Sequence, residues 1–315
     1  MRKIYQLLTA LLISVWLFAG QCSAASVVAT IFPVYDWVRE ISAGTGTSIT
    51  LLLDSGVDLH SFQPSAQDIV KISSCDLFIY VGGESDEWAD DVLKNIAPNG
   101  PKVINLLDVL GDSVKPEEIV EGMEHEHGHE HEEHEHEEPD EHVWLSLKNA
   151  VITCRKISEV LCGLDPKNKN IFTANLENYI RELSNLDKSY AETIENSKRK
   201  VILFGDRFPF RYLTDDYGLK YYAAFSGCSA ESEASFETVI FLAKKVEELS
   251  LPCVLTIDGT RHKIAQTVIS STKAKNQRIL VLDSMQSSAM KDIQEGKTYL
   301  SAMKRNLEIL KEALN

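Results

Sequence analysis

The chain has 315 residues, with 32 basic and 47 acidic side chains and a formal net charge of −15. Residues 117–141 hold thirteen of the acidic side chains and no Lys or Arg, so the charge is local and the rest of the chain is nearly neutral. No basic stripe is present, which excludes nucleic acid as an expected partner.

The first 24 residues have the parts of a cleaved signal peptide, with positive charge in "MRK", an apolar run in "IYQLLTALLISVWLFAG" and small residues in "CSAA". No later stretch has eighteen consecutive apolar residues, so we expect an exported, soluble protein in the periplasm or on the outer face of the cell membrane. Cys22 raises lipid anchoring as an alternative, although Gln21 before it departs from the small residue that a lipoprotein signal has there.

Strands and helices alternate along residues 25–112, which predicts βαβ units and a parallel sheet. The strand-like runs are "SVVAT", "TSITLLLDS", "CDLFIYVGG" and "KVINLLDV". One helix start is explicit, because Ser65 is followed three residues later by Asp68, the spacing of a capping box. Together with the helix after residue 146, these units predict a first α/β lobe over residues 25–164.

Residues 113–141 are predicted to be a long polar loop whose centre, "EHEHGHEHEEHEHEE", has no apolar residue to bury. We therefore expect it to be disordered without metal. Imidazole binds Zn, Cu and Ni, so the tract should capture dications weakly at several positions. It also matches H-E-x-x-H at residues 125–129, but it lacks the packed helix of a zinc protease, and we attribute the match to the repeat. Its six histidines are His125, His127, His129, His131, His134 and His136.

A long charged helix is predicted over residues 165–198, and a second series of strands and helices continues to residue 315. Its strand-like runs are "KVILFG", "LKYYAAF", "PCVLTID" and "RILVLDS". The predicted fold is therefore α/β, with two parallel-sheet lobes joined by one long helix. Five cysteines follow the signal peptide without a C-x-x-C pair, so we interpret them as small buried residues that could include one disulfide.

Two isolated histidines have the same local context. His60 lies between an apolar strand and a helix start, where a βα loop directs side chains into the crevice at the carboxyl ends of the strands. His142 follows Pro139 in "PDEHVWLS" and precedes a helix. We therefore group His142 with the helix after it and not with the histidine tract before it.

Five segments, "VDLHSFQPSAQD", "GGESDEW", "DEHVWLS", "FRYLTDDYGL" and "LVLDS", resemble in this order the zinc and manganese solute-binding proteins of ABC importers (cluster A-I). The resemblance covers essentially the whole mature chain. It implies two α/β lobes joined by a rigid helix, with one metal ion in the interlobe cleft held by two residues from each lobe. His60, His142 and Asp283 match the first, second and fourth ligand positions. The His-rich loop resembles that of the zinc-selective members.

The third ligand position departs from the family pattern. Members carry His or Glu ten residues before the Tyr of "YGL", and counting back from Tyr217 gives Arg207, which stays protonated and cannot bind a metal. The neighbouring Asp206 is our predicted third ligand. The stretch "FSGCSAESEASFE" offers Cys228, Glu231 and Glu233 as rivals for the same position.

The resemblance implies a monomeric subunit that captures Zn²⁺ as its transported ligand and hands it to a permease and its ATPase. Two imidazoles and two carboxylates give a closed four-coordinate site without the open position that catalysis needs, so we expect no enzymatic activity. Asp206 in place of a His moves the site toward Mn²⁺, which leaves a manganese-binding subunit as an alternative. Two more functions stay open, a metallohydrolase with Glu231 or Glu233 as base and a metal-binding adhesin or buffer.

Overall fold

The structure is a computed structural model that describes residues 24–96, 100–123, 138–228 and 233–315. The predicted signal peptide up to residue 23, the histidines of the tract and Glu231 lie outside the described residues.

The first lobe is built on one four-stranded sheet in the order β2-β1-β3-β4, with every pair parallel. All four residues of β3 are buried, as expected for a strand that helices cover on both faces of the sheet. The elements are β1 (Ser26–Ala29), α1 (Phe32–Ile41), β2 (Ser48–Leu51), α2 (Ala66–Ser74), β3 (Leu77–Tyr80), α3 (Glu87–Lys94), β4 (Lys102–Asn105), α4 (Leu106–Leu110) and α5 (Leu147–Leu164).

The predicted capping box at the start of α2 is confirmed. The Ser65 backbone N–H donates to Asp68 Oδ2 at 3.0 Å, and the Asp68 N–H donates to Ser65 Oγ at 3.3 Å. The two side chains thereby satisfy backbone donors that have no partner within the helix. The helix start that follows the His60 loop is thus fixed by its own sequence.

The long helix α6 (Lys169–Glu195) lies inside the range predicted for the connecting helix and spans about 40 Å at 1.5 Å per residue. Its buried side chains recur at helical spacing, so one stripe of the helix faces the core. Near its end, the buried Tyr190 hydroxyl donates to the carbonyl oxygen of Met303 in the second lobe at 2.7 Å. The stripe consists of Phe172, Tyr179, Leu183, Leu186, Tyr190 and Ile194.

The second lobe has short strands that pair two by two, β5 with β7, β6 with β8 and β9 with β10, all in parallel. A single parallel bridge between Phe204 and Leu255 connects the end of β5 to β9. The elements are β5 (Val201–Leu203), β6 (Arg207–Phe208), α7 (Arg211–Tyr217), β7 (Lys220–Tyr222), β8 (Phe225–Ser226), α8 (Phe236–Glu248), β9 (Cys253–Ile257), α9 (Lys263–Ser271), β10 (Arg278–Leu282), α10 (Met290–Gln294) and α11 (Tyr299–Ala313).

The lobes meet along a cleft that several buried hydrogen bonds cross. The Trp144 indole N–H donates to the Ser284 carbonyl oxygen at 2.9 Å, and the Tyr212 hydroxyl donates to the Asp140 carbonyl oxygen at 2.7 Å. These bonds connect the segment before α5 to the loop after β10 and to α7. The loops at the carboxyl ends of both sets of strands therefore face one another.

The predicted fold class, two parallel-sheet α/β lobes with a long helix between them, is confirmed. The boundaries at residues 25–164, 165–198 and 199–315 stay predictions. The described ends of the polar loop pair with each other, since the Asp140 N–H donates to the Lys115 carbonyl oxygen at 2.8 Å. Within the described ranges, no helix combines the length and apolar character needed to cross a membrane.

Candidate metal centre

His60 lies in a single 3-10 turn (Leu59–Ser61) in the loop between β2 and α2. The side chain of Asp58 caps this turn by accepting the His60 N–H at 3.1 Å. The ring Nδ1 lies 2.6 Å from Ser85 Oγ and 3.5 Å from Glu141 Oε2. These oxygens hold the ring so that Nε2 points into the cleft.

His142 lies just before the 3-10 turn Val143–Leu145 that leads into α5, and its side chain is fully buried. Asp140 Oδ1 contacts both the His142 backbone nitrogen and its ring Nδ1 at 2.9 Å. Gly227 of the second lobe packs against the ring, where a Cβ would lie 2.8 Å from the imidazole Cε1. A side chain at position 227 would therefore displace His142.

The two imidazoles face each other through their Nε2 atoms, which are 3.2 Å apart. An oxygen lies against each Nδ1, which favours the tautomer with a proton on Nδ1 and the lone pair on Nε2. Two nitrogens bound to one tetrahedral zinc at 2.0–2.1 Å lie about 3.3 Å apart. The separation in the structure is close to that value, so the two nitrogens are near enough for both to reach one zinc ion.

The second lobe brings one more side chain of a metal-binding type close to this pair. Within the described residues, His60, His142 and Cys228 form the one group of His, Cys, Asp or Glu whose possible ligand atoms all lie within 4.8 Å of one another. Cys228 follows β8, and its backbone N–H donates to Glu117 Oε1 at 3.0 Å. All five cysteines of the described residues are free thiols, so none of them forms the disulfide that the sequence left open.

Gln286 also reaches the site, although no pattern in the sequence predicts it. Its amide nitrogen lies 3.0 Å from His60 Nε2 and 2.9 Å from His142 Nε2. Its amide oxygen Oε1 is buried and has no hydrogen-bond partner among the described residues. A glutamine in a loop carries no motif, and its only signal in the sequence is its position shortly after the predicted ligand Asp283.

The predicted ligands Asp206 and Asp283 do not belong to the group of three donors. Asp206 Oδ2 accepts from Thr256 at 2.9 Å and from Thr260 at 2.8 Å, although it lines the same cavity of about 500 Å³ as His60. Asp283 pairs with Lys297 Nζ at 2.7 Å. Their role in metal binding stays a prediction. Glu233 lines the His60 cavity as well, whereas Glu231 lies outside the described residues.

Arg207, at the position where the family pattern has a ligand, reaches across the cleft instead. Its guanidinium Nη2 lies 2.9 Å from Asp58 Oδ2, and both side chains are mostly buried. The pair connects β6 of the second lobe to the residue that caps the His60 turn. Burial alone would raise the pKa of Asp58, but Arg207 and His60 together hold it below its usual value.

Burial shapes the titration of the groups around the site. Burial, followed by the proximity of His142, lowers the pKa of His60 to about 3, so the ring is neutral and its lone pair is available to a cation. Burial raises the pKa of the Cys228 thiol, with Glu117 as the next cause. Burial also raises the pKa of Glu141, although Ser85 donates a backbone N–H to it. A bound dication would favour the ionised forms of Cys228 and Glu141 and so oppose the effect of burial on their pKa values.

Comparison with known proteins gives a consistent result. The family profile described as ZnuA, "Zinc-uptake complex component A periplasmic", matches residues 27–313. The chain is similar to the zinc-binding protein AdcA of Streptococcus pyogenes serotype M18, with 29% identity over 289 residues that cover 90% of this chain and 55% of AdcA. It thus spans about half the length of that relative.

Two further relatives match over most of their length. The high-affinity zinc uptake system protein ZnuA of Bacillus subtilis is 31% identical over 290 residues, which cover 91% of this chain and 87% of that protein. The crystal structure of the Zn(II)-bound ZnuA-like domain of Streptococcus pneumoniae AdcA superposes with a TM-score of 0.71 at 28% identity, covering 92% of this chain and 99% of that domain.

Proposed function

The chain belongs to the family of zinc-uptake complex component A periplasmic proteins, and from this premise we propose that it captures Zn²⁺ outside the cytoplasm and delivers it to the permease and ATPase of an ABC importer. The observation that carries the proposal is the facing pair of His60 and His142 nitrogens, 3.2 Å apart, each with an oxygen behind its other ring nitrogen. Zn²⁺ is the transported substrate and not a resident cofactor.

The position of the site supports transport. His60 and His142 come from the first lobe, while Cys228 and Gln286 come from the second, so a bound ion would be held by both lobes. A small movement of one lobe would withdraw its donors and release the ion to a permease. We propose a binding and not a catalytic role, a monomeric state, and anchoring through Cys22 as the alternative to a freely soluble form.

The test is a chelator-competition titration of the mature protein with Zn²⁺ and with Mn²⁺. We expect one tight zinc site, weaker manganese binding, and loss of the tight site in the His60→Ala and His142→Ala variants. His262→Asn is the matched control, because His262 lies outside the donor group. Its backbone has a φ of 56°, a conformation that Asn tolerates. Tighter binding of Mn²⁺ would assign the chain to manganese, and the absence of any tight dication site would refute the proposal.

Delivery is tested in the source organism. A strain lacking this chain should grow poorly when zinc is limiting and recover when zinc is added, and a His142→Ala copy should not rescue it. Normal zinc-limited growth and zinc accumulation in the deletion strain would contradict a role in import. The same strain complemented with a Cys22→Ala copy tests whether anchoring matters.

A further inference from the structure

We propose that the second lobe binds the ion through the Cys228 thiolate and the Gln286 amide oxygen, which makes the site a cage of two imidazoles, one thiolate and one amide. This inference rests on the proposed function and names the donors that give the site its choice of metal. It differs from the ligand set predicted from the sequence, in which Asp206 and Asp283 are the second-lobe ligands.

The neighbours of Cys228 fix its backbone beside the imidazoles. Cys228 Sγ and one ring nitrogen each of His60 and His142 all lie within 4.8 Å of one another, while a tetrahedral zinc places sulfur and nitrogen about 3.6 Å apart. The residue before it, Gly227, packs directly against the His142 ring, and the N–H of Cys228 is bound by Glu117. A rotation of the thiol, or a closure of the lobes by about 1 Å, completes the Zn–S bond.

Gln286 supplies the fourth donor through its unpartnered oxygen. In the structure the amide nitrogen lies between the two imidazoles, at 3.0 and 2.9 Å, and donates to both lone pairs. Amide nitrogen and oxygen are nearly the same size, so rotating the terminal amide by half a turn places Oε1 where the nitrogen was. The buried Oε1 has no partner among the described residues to lose by this rotation. Gln286 would thus close the site without metal and bind the ion when it arrives.

The competing carboxylates are less available. Asp206 would have to leave two threonine hydroxyls, and Asp283 would have to leave Lys297. Cys228 donates its backbone N–H to Glu117, and its thiol is hydrogen-bonded to the same carboxylate, so binding would move the sulfur from one neighbour toward the imidazoles. The thiolate would carry one negative charge, and Asp140, buried behind the His142 ring, would supply the one that remains to be balanced.

A thiolate determines which metals the site prefers. Sulfur ligands favour Zn²⁺ and softer ions, whereas Mn²⁺ favours oxygen donors. A sulfur donor from Cys228, in place of the oxygen donor predicted at Asp206, therefore moves the site away from manganese. The inference predicts that selectivity for zinc over manganese depends on this one sulfur atom.

The experiment uses Co²⁺ as a spectroscopic substitute for zinc in the full mature chain. The wild-type protein should show intense thiolate-to-cobalt charge-transfer absorption, and Cys228→Ser should lose it. Cys228→Ser should also weaken zinc binding by about 10-fold to 100-fold while changing manganese binding by less than about threefold, because only zinc gains from sulfur. Cys162→Ser is the matched control, since Cys162 is a half-buried thiol outside the donor group.

A second measurement does not depend on a variant folding. X-ray absorption at the zinc edge of the wild-type protein, loaded with one equivalent of zinc, should show one Zn–S distance of about 2.3 Å beside the shorter distances to nitrogen and oxygen. If the wild-type protein binds zinc tightly but gives no charge-transfer band and no Zn–S distance, the inference is wrong and the proposed function stands. If the wild-type protein binds no zinc, the proposed function itself fails.

Discussion

The two faces of the cleft differ in what already occupies their donor groups. On the first-lobe face, Ser85 and Asp140 lie against the Nδ1 atoms of His60 and His142, so both Nε2 lone pairs point into the cleft. On the second-lobe face, Asp206 and Asp283 are held by hydroxyl groups and an ammonium group. The residue type alone therefore does not identify a metal ligand, because the neighbouring groups determine whether its lone pairs are available to an ion.

The largest expected effect comes from breaking the first-lobe face. His142→Ala should weaken zinc binding by a factor of about 100 to 1000, because a structural zinc site of about 10–16 kcal/mol divides among four ligands at roughly 3–4 kcal/mol each. Chelator competition measures the change, and thermal unfolding without metal shows whether the variant is folded. If the variant binds zinc as tightly as the wild type, His142 is not a ligand and the first-lobe face does not hold the ion as proposed.

Next in size is the group behind the ligand. Asp140→Asn keeps an oxygen acceptor but removes the negative charge against His142 Nδ1, and such outer partners typically contribute about 10-fold to 100-fold in metal affinity. Asp165→Asn is the control, because it makes the same change at another buried aspartate outside the donor group. If both variants bind zinc equally well, the negative charge of Asp140 does not contribute to the zinc affinity of His142.

The third prediction concerns the second-lobe face and the dependence of zinc affinity on pH. Because burial raises the pKa of Cys228, its thiol is protonated without metal, and zinc must displace that proton. Affinity should therefore rise about tenfold for each pH unit from about pH 6 to 8. His60 adds no proton there, since burial and His142 lower its pKa to about 3. Calorimetry in buffers of different ionisation heat counts the released proton, and Cys228→Ser should release one fewer.

The smallest expected effect is at Asp206. Asp206→Ala should change zinc affinity by less than about threefold, because its oxygens are engaged by Thr256, Thr260 and the backbone of Arg207. The same titration applied to Asp283→Ala tests the other carboxylate. A loss as large as that in His142→Ala would restore the ligand set predicted from the sequence and place the carboxylates in the site.

These differences explain what the sequence could and could not predict. The alternation of strands and helices is a local pattern, so the two lobes and the long helix follow from it. His60 and His142 were predictable because each stands alone at a helix start. The state of Asp283 was not, because Lys297 is a neighbour only in space. Gln286 carries no motif, and Cys228 appeared only as a rival to Asp206, because its approach to His142 depends on how the lobes meet.

The sheets show the same limit on a larger scale. In the first lobe the strand-like runs become one continuous four-stranded sheet. In the second, the run at residues 200–205 contains only β5, and a separate strand, β6, follows it and pairs with a different partner. The break occurs at Gly205 and Asp206, and Gly205 packs so closely on Ala265 that a Cβ would lie 2.5 Å from the Ala265 Cα. Packing between elements, which the local pattern does not contain, therefore sets the position of Asp206.

The facing pair of imidazole nitrogens also has a thermodynamic consequence for the whole molecule. With the proton of each ring on Nδ1, the two Nε2 lone pairs lie 3.2 Å apart and repel, and the Gln286 amide faces both of them. An ion that binds the folded chain and not the unfolded one stabilises it by about 4 kcal/mol when its free concentration is 1000 times the dissociation constant. The melting temperature should thus follow free zinc, and the supply of the metal would set how long each copy survives heat and proteases.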